Sequence, residues 1–266
     1  MSQLIYLRQR IKAVETIQKT TNAMRLISIS THARLKQQKA HVELYQKEVQ
    51  KLSHFAYHKR HKDFKIKTLV LIIGSQKGLC GVFNSNLINF FKHDFLTTVH
   101  ADIFVIGKQA CEYAKVAVPH KIKFFPEFSM TNFVDLARTL TQTILATYSH
   151  VYVYSNQPKT FFIQKPHKTI VMPHAEKSSE KSTLLEYNFA EQTPQEFSAY
   201  IQELIVQVSL QNIMFESLIA EQAARFISMD SATRNAEDFL KIMKLDYNKL
   251  RQALITKELT DLTAAL

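Results

Sequence analysis

The positions of glycine and proline constrain the fold of this chain more than any other feature. All four glycines and all six prolines lie between Gly74 and Pro194, so the first 73 and the last 72 residues contain neither. Because glycine and proline cost about 1 and 3 kcal/mol in a helix interior, both ends are predicted to be long helices. A helix of about 70 residues would be about 100 Å long, so at least part of each is expected to extend beyond a compact middle domain.

The N-terminal segment has apolar residues spaced by threes and fours, as one face of a helix requires. The predicted seam, meaning the line of side chains that faces a partner helix, consists of Leu4, Leu7, Ile11, Val14, Ile17, Thr21, Met24 and Ile27. More widely spaced apolar residues continue the pattern at Leu35, Val42, Val49 and Leu52. A break is predicted near residues 58–63, where apolar residues stop and charges cluster.

The C-terminal segment carries a clearer heptad repeat, in which the apolar residues Ala236, Leu240, Met243, Tyr247, Leu250 and Leu254 alternate steps of four and three. Both terminal helices join the same middle segment, so the simplest arrangement pairs them antiparallel. The predicted fold class is α/β, with a long antiparallel coiled coil of N- and C-terminal helices flanking a central Rossmann-like α/β domain. The predicted domains are an N-terminal arm at 1–60, a central domain at 61–194 and a C-terminal arm at 195–266.

The middle segment alternates predicted strands and helices. Strands are predicted at residues 66–73, 102–106 and 151–154, with further candidates at 160–163 and 169–172. Helices are predicted at residues 84–96 and 110–116, and Thr131 or Asn132 is expected to cap a helix that runs to Tyr148. The polar residues 173–183 are predicted to form a loop. This alternation predicts a mostly parallel sheet with helices on its faces.

The basic charge is concentrated in the N-terminal arm. The 266-residue chain has a net charge of +11, and residues 1–60 carry 12 Lys and Arg against 3 Asp and Glu. A basic helix can bind nucleic acid, an anionic membrane surface or an acidic protein, and charge alone does not choose among them. Tyr6 is the only aromatic residue in residues 1–40, so nucleic-acid binding by base stacking has no support.

No segment predicts a membrane span or a secretory leader. No apolar run approaches the roughly 18 residues of a span, and residues 1–6 lack the charged region and apolar core of a signal peptide. The basic N-terminal arm superficially suits a mitochondrial transit peptide. Its periodicity continues past any plausible cleavage point, which favours mature structure, and we expect no direct insertion into a membrane.

The sequence contains no convincing motif for catalysis or cofactor binding. The glycine turn at residues 74–81 fits neither the P-loop spacing nor the dinucleotide-binding spacing. His54, His58 and His61 have a helical spacing that could touch one metal, but no acidic or cysteine ligand accompanies them. Cys80 and Cys111 are expected to be reduced thiols. We expect no cofactor and no metal, and the residues alone indicate a mechanical or scaffolding protein.

Three stretches, spread from end to end, match the motifs of one family. Residues 7–11 (L-R-Q-R-I) and 18–24 (Q-K-T-T-N-A-M) are similar to its first-helix pattern, and residues 78–81 (G-L-C-G) with Asn84 are similar to its G-L-C-G-x-x-N turn. Residues 221–258 follow E-x-x-x-R-x-x-x-M-x-x-A-T-x-N-A and then Y-N-x-x-R-Q-x-x-I-T-x-E. In this order the motifs resemble the gamma subunit family of F-type, proton-translocating ATP synthase.

The resemblance implies a non-catalytic rotor shaft in the central stalk. In such a complex, proton flow through the membrane c-ring turns the shaft, and the shaft drives ATP synthesis or hydrolysis in a hexameric ring of alpha and beta subunits. The implied partners are the alpha and beta subunits, the epsilon subunit and the c-ring, with no nucleic acid. The implied location is peripheral, on the cytoplasmic face of the bacterial inner membrane, with the matrix side of the mitochondrial inner membrane as the alternative.

The resemblance also implies contact residues. By position, Arg251, Gln252, Thr256 and Glu258 resemble a polar cluster that contacts a beta-subunit loop, and Met24 resembles a methionine near that contact. The chain departs from the family pattern at Asn22, Arg25, Ser28, Ile29, Thr31, Val82 and Asp230. Arg25 stands where an acidic residue is common, and Asp230 where a lysine is usual. Because Arg25 adjoins Met24, we hypothesise that Arg25 faces an acidic segment of the beta subunit.

Two other functions remain open from the sequence. One is a basic coiled-coil protein that binds nucleic acid or acts as a scaffold, which would show salt-sensitive binding to nucleic acid. The other is a doubly wound enzyme acting on a small molecule, which the missing glycine fingerprint disfavours.

Overall fold

The computed structural model describes residues 2–52, 67–95, 101–117, 122–125, 128–172 and 194–264. The elements in chain order are α1 (Ser2–Lys51), β1 (Thr68–Ile73), α2 (Phe83–Phe95), β2 (Ala101–Ile106), α3 (Lys108–Ala117), β3 (Ile122–Phe125), α4 (Phe133–Thr147), β4 (His150–Pro158), β5 (Gln164–Met172) and α5 (Pro194–Ala264). Two compact units result. The helix-pair unit contains Met1–Thr31 and Arg225–Leu266, and the α/β unit contains His32–Ala224.

The α/β unit contains a five-stranded sheet in the order β3-β2-β1-β4-β5. Strand β1 pairs in parallel with β2 and with β4, β2 pairs in parallel with β3, and only the edge strand β5 is antiparallel to its neighbour. The predicted fold class, with its mostly parallel sheet, is therefore confirmed. Each parallel crossover contains a helix, as parallel pairing requires.

The strands alternate their side chains between two apolar cores. Leu69, Leu71 and Ile73 of β1 face one core. Helix α4, residues 206–219 of α5 and Leu35 of α1 complete that core. Val70 and Ile72 face the opposite core, which α2 and α3 cover. Because β1 is buried on both faces, its sequence is a continuous apolar run. Such a run is typical of a central strand in a parallel sheet.

Three local features of the α/β unit differ from the sequence prediction. Strand β3 was not predicted, since its four residues include a lysine and are too short for a periodicity signal. Residues 160–163 were predicted as a strand but form the turn between β4 and β5, where the amide of Ile163 donates to the carbonyl of Thr160 over 3.3 Å. Asn132 precedes α4 as predicted, but its side chain accepts a hydrogen bond from the amide of Ser129 rather than from a helix amide.

The helix-pair unit is antiparallel. Hydrogen bonds and ion pairs join Glu15 to Lys244, Gln18 to Glu237, Thr21 to Thr233 and Arg25 to Asp230. The numbers on α1 rise as those on α5 fall, which defines two helices running in opposite directions. The heptad predicted on α5 faces the partner, because all six of its residues are buried or half-buried while most of their neighbours are exposed.

The seam predicted on α1 is correct through Val14 and again at Thr21, which bonds to Thr233 of α5, but it is wrong at Ile17, Met24 and Ile27. Ile17, Met24 and Ile27 are exposed, while Gln18, Thr21, Arg25 and Ser28 are half-buried or buried. The steps of three and four that begin at Leu4 therefore continue through polar residues.

Several predictions fall outside the described residues. These are the break near residues 58–63, the loop at 173–183, the histidine group His54, His58 and His61, and the domain boundary at residue 60. The division into domains at 1–60, 61–194 and 195–266 stays a prediction.

Candidate functional site

The C-terminal end of α5 extends past the end of α1. The register of the interhelix contacts puts Leu4 level with residues 250–255, so the residues from there to the end of α5 lie beside or beyond the first turn of α1. Of the described side chains from Arg251 to Thr263, all are exposed except Leu254. We call residues 251–264 the free end of α5. An isolated helix of this length is marginal in water, which makes the free end a candidate contact surface.

The free end contains four of the residues predicted for partner contact. Arg251 and Glu258 lie on the same helix face, one on each side of the exposed apolar side chain of Ile255. Gln252 and Thr256 lie on a neighbouring face, where the Thr256 hydroxyl donates to the carbonyl of Gln252 over 3.0 Å. The cluster therefore presents one apolar side chain between two opposite charges.

Met24 lies on an exposed apolar stripe of α1. Tyr6, Ile17, Met24 and Ile27 are 61%, 54%, 37% and 65% exposed, and their spacing places them along one side of the helix. On α5, Phe239, Ile242 and Leu245 are also exposed. Large apolar side chains gathered on the surface of a small helical unit indicate a protein-binding surface. Sequence reasoning missed the stripe because it assigned Ile17, Met24 and Ile27 to the seam.

Arg25 is bound within its own chain. Its Nη1 donates to Oδ1 of Asp230 over 2.7 Å, and Arg234 donates to Oδ2 of the same carboxylate over 2.8 Å. The hydrogen bond from Arg25 is the main cause that lowers the pKa of Asp230, and the charge of Arg234 adds to it. The two residues that depart from the family pattern thus neutralise each other across the helix pair.

The predicted contact residues form two separate groups. Met24 and Arg25 lie level with the Asp230 region, about 20 residues before Arg251 on α5. At 1.5 Å per residue, the distance along the helix pair is about 30 Å. The structure therefore brings Arg251, Gln252, Thr256 and Glu258 together, and it places Met24 and Arg25 elsewhere on the helix pair.

The α/β unit fills its own ligand crevice. In a parallel sheet of this order, ligands usually bind at the carboxyl ends of β1 and β4, where the chain reverses its direction of winding. Here the Asn84 side chain bonds to both the amide and the hydroxyl of Ser75, and Asn156 donates to the carbonyl of Phe83 over 3.0 Å. Ala220 and Ala224 of α5 pack against Cys80 and Phe83 at the same place. Side chains of this chain thus pack together at the strand ends where a ligand of such a sheet would usually bind.

Other site types have little support in the described part of the chain. No three His, Cys, Asp or Glu side chains there are grouped closely enough to hold a metal ion. Among the described helices, none combines the length and the apolarity that crossing a bilayer would require. Both cysteines are buried thiols, and burial raises the pKa of the Cys111 thiol.

An antiparallel helix pair with an exposed apolar stripe and an α/β unit without a metal cluster among the described residues are typical of a structural subunit of a larger assembly. A family model described as ATP synthase matches residues 3–266. The chain is 30% identical to the ATP synthase gamma chain of Rickettsia canadensis, over 99% of this chain and 98% of that one. It is 28% identical to the gamma chain of Aquifex aeolicus, over 98% of this chain and 95% of that one.

The fold is also similar to a chain in the cryo-EM structure of the Euglena gracilis mitochondrial ATP synthase, OSCP/F1/c-ring. The TM-score is 0.72 at 14% identity, over 99% of this chain and 93% of that one. The chain belongs to the ATP synthase gamma chain family. It is a non-catalytic, peripheral subunit in the central stalk of a membrane complex, so the prediction that it is not an enzyme by itself is confirmed. Membership of this family argues against the alternative function of a nucleic-acid-binding coiled coil.

Proposed function

We propose that this chain is the rotor shaft of its ATP synthase, with the helix-pair unit turning inside a ring of alpha and beta subunits. The epsilon subunit and the membrane c-ring are the other partners. The observation that carries the proposal is the free end of α5, whose apolar side chains Ile255 and Leu259 are 49% and 59% exposed. A ring of partner subunits would supply the cover that an isolated helix end needs.

Two contact surfaces follow from the geometry. The first is the free end, where Arg251 and Glu258 would form ion pairs with beta-subunit side chains around Ile255, and Gln252 and Thr256 would supply hydrogen bonds. The second is the stripe that contains Met24, with the exposed third of the Arg25 side chain beside it. Arg25 has an internal carboxylate partner, so its part in a beta-subunit contact is proposed as secondary to that of Met24.

We also propose that the complex lies on the cytoplasmic face of a bacterial inner membrane. The relatives from Rickettsia canadensis and Aquifex aeolicus, both named ATP synthase gamma chain, are bacterial proteins, which supports this proposal. Localisation of the chain to mitochondria by microscopy or fractionation of the source cells would contradict this proposal and favour the matrix side.

The free end can be tested in inverted membrane vesicles that contain the whole complex. Arg251→Ala and Glu258→Ala should lower ATP-driven proton pumping several-fold per ATP hydrolysed, because each removes a charged partner from a buried contact. Lys257→Ala is the matched control, since Lys257 is exposed on the opposite face of the same helix. Equal pumping in all three variants would contradict a role for the polar cluster. Failure of the wild-type chain to co-purify with alpha, beta and epsilon subunits and the c-ring would contradict the rotor function itself.

A further inference from the structure

The helix α1 has two competing faces between residues 17 and 28. One is apolar and carries Ile17, Met24 and Ile27, and the other is polar and carries Gln18, Arg25 and Ser28. The two faces differ by one residue at each position, which is a rotation of about 100° about the helix axis. Burial of apolar surface alone would turn the apolar face toward α5. The structure turns the polar face inward instead.

The residues of α5 at this level explain the choice. Asp230 is 19% exposed and accepts hydrogen bonds from Arg25 on the facing helix and from Arg234 one turn along its own helix. One turn away, the Thr233 hydroxyl donates to the Thr21 hydroxyl over 2.9 Å. If α1 rotated by one residue to bury its apolar face, Arg25 would leave the seam. The carboxylate of Asp230 would then keep only Arg234, whose side chain is 74% exposed.

We propose that the cluster of Arg25, Asp230 and Arg234 is a charge latch that selects the inward face of α1 and thereby holds Ile17, Met24 and Ile27 on the outside. Asp230 is the positioning residue, because it is the only acid in the cluster and joins both arginines. Partly buried polar groups are known to specify the alignment of coiled coils at a cost in stability. The latch applies that principle to the rotation of one helix.

Only the functional consequence of the latch, which is the exposure of a binding surface, rests on the proposed function. If the apolar stripe contacts the surrounding ring, then the latch keeps a binding surface exposed that the hydrophobic effect would otherwise bury inside the pair. The latch itself is a property of the isolated chain and can be measured without any partner.

Cysteine reactivity reports which face of α1 is exposed. In a full-length chain with Cys80→Ala and Cys111→Ala, a single cysteine is introduced by Ile27→Cys or by Ser28→Cys. Ile27 is 65% exposed and Ser28 is 1% exposed, so a maleimide should label the first position at least tenfold faster than the second. With Asp230→Asn added, which keeps the side-chain shape and removes its charge, this ratio should fall several-fold.

Charge reversal separates the latch from a general loss of structure. Combining Arg25→Glu, Asp230→Lys and Arg234→Glu restores opposite charges with inverted signs and should restore the tenfold labelling ratio. Glu15→Gln is the matched control, because it removes another interhelix pair of 2.8 Å whose side chains are more exposed, and it should leave the ratio unchanged. An unchanged ratio in Asp230→Asn would overturn the latch. Failure of the reversed cluster to restore the ratio or the fold would overturn it as well.

Proton pumping by the whole complex distinguishes the latch from the proposed function. If Asp230→Asn lowers the labelling ratio and also lowers pumping, then both proposals are supported. If the labelling ratio falls while pumping stays normal, then the latch is supported and the contact through the Met24 stripe is contradicted. If pumping falls while the labelling ratio is unchanged, then the latch is wrong and the stripe contact is unaffected.

Discussion

Individual polar side chains hold the sheet and its helices together at the residue scale. The hydroxyl of Tyr154, which is almost completely buried, donates to Asp94 near the end of α2. Lys168 of β5 donates to the same carboxylate over 2.6 Å and lies 4.8 Å from the ring centre of Tyr152. Burial and the bond to Asp94 raise the pKa of Tyr154, so the phenol stays protonated as a donor. One carboxylate thus joins a helix to two strands.

His32 gives the α/β unit a dependence on pH. Its side chain is 8% exposed and packs edge-on against Phe161 at 4.8 Å between ring centres. Burial lowers the pKa of His32 below 6.5, and the nearby Lys36 lowers it further. The unfolded chain therefore takes up a proton at a higher pH than the folded chain, so stability is lost as the pH falls through and below about 6.5.

Thermal unfolding at pH 7.5 and at pH 5.5 should show this loss, and His32→Gln should show a smaller one. His41, which is exposed on the same helix, provides the control as His41→Gln. A wild-type melting temperature that does not fall between these two pH values, beyond any fall seen in His32→Gln, would show that His32 does not titrate as described.

At the element scale, the sequence predicted which segments are helices and strands better than it predicted which face of a helix is buried. The continuous apolar run of β1 and the heptads of α5 identified those elements because each pattern has a single interpretation. The pattern of α1 has two, since both Ile17 and Gln18 lie within helical spacing of Val14. Asp230 and Thr233 decide between them from another helix, about 200 residues away in the chain, and no local pattern contains that information.

A close approach between β1 and α3 depends on Gly74. A Cβ at this position would lie 2.4 Å from Cβ of Ala110 and 2.9 Å from Oδ1 of Asn84, and backbone of α3 would follow at 3.5 Å. Gly74→Ala should therefore destabilise the chain by about 1–3 kcal/mol, as overpacking does. Gly78→Ala is the matched control, because its Cβ would meet only the Gln109 side chain at 3.9 Å. Urea unfolding of both variants measures the difference, and equal stabilities would contradict the close packing.

The paired helices offer a test of stiffness at the same scale. Ala236 is buried in the seam and its neighbour Asn235 is exposed. Glycine at either position makes the helix backbone more flexible. At Ala236 it lowers helix stability by about 1 kcal/mol relative to alanine. If unbroken helices transmit torque, both Ala236→Gly and Asn235→Gly should lower proton pumping per ATP hydrolysed. A loss confined to Ala236→Gly would assign the effect to packing, and no loss in either variant would contradict the mechanical role of an unbroken helix.

At the scale of the whole molecule, we expect the chain to separate surface that stabilises it from surface that serves an assembly. Ile11 faces α5 and is half-buried, whereas Ile17 lies six residues later and is exposed. The same residue type therefore has two different environments on one helix, and we expect it to have two different tasks there. The family could be recognised from the sequence because its motifs run through both terminal helices. The surface for assembly could not, because the periodic pattern treats all apolar residues as core.

Serine substitutions separate the two tasks. Ile17→Ser should change the unfolding free energy of the isolated chain by no more than about 0.5 kcal/mol, as exposed positions do. It should weaken co-purification with the alpha and beta subunits. Ile11→Ser should instead destabilise the isolated chain by about 1–3 kcal/mol, since it removes apolar contacts from the seam. Equal destabilisation by the two substitutions, measured by urea unfolding, would mean that Ile17 is buried in solution.

The core of the α/β unit draws on residues from near both ends of the chain, and this has a consequence for biosynthesis. Leu35 of α1 and residues 206–219 of α5 share one core with β1, so the sheet lacks part of its cover on that face until α5 has left the ribosome. About 150 residues separate Ile73 from Ile219, which is roughly 7–30 s of translation at 5–20 residues per second. During that time α4 covers only part of this face, and the rest of the apolar sheet surface is open to aggregation. Overproduction of this subunit should therefore depend more on chaperones than its modest size suggests.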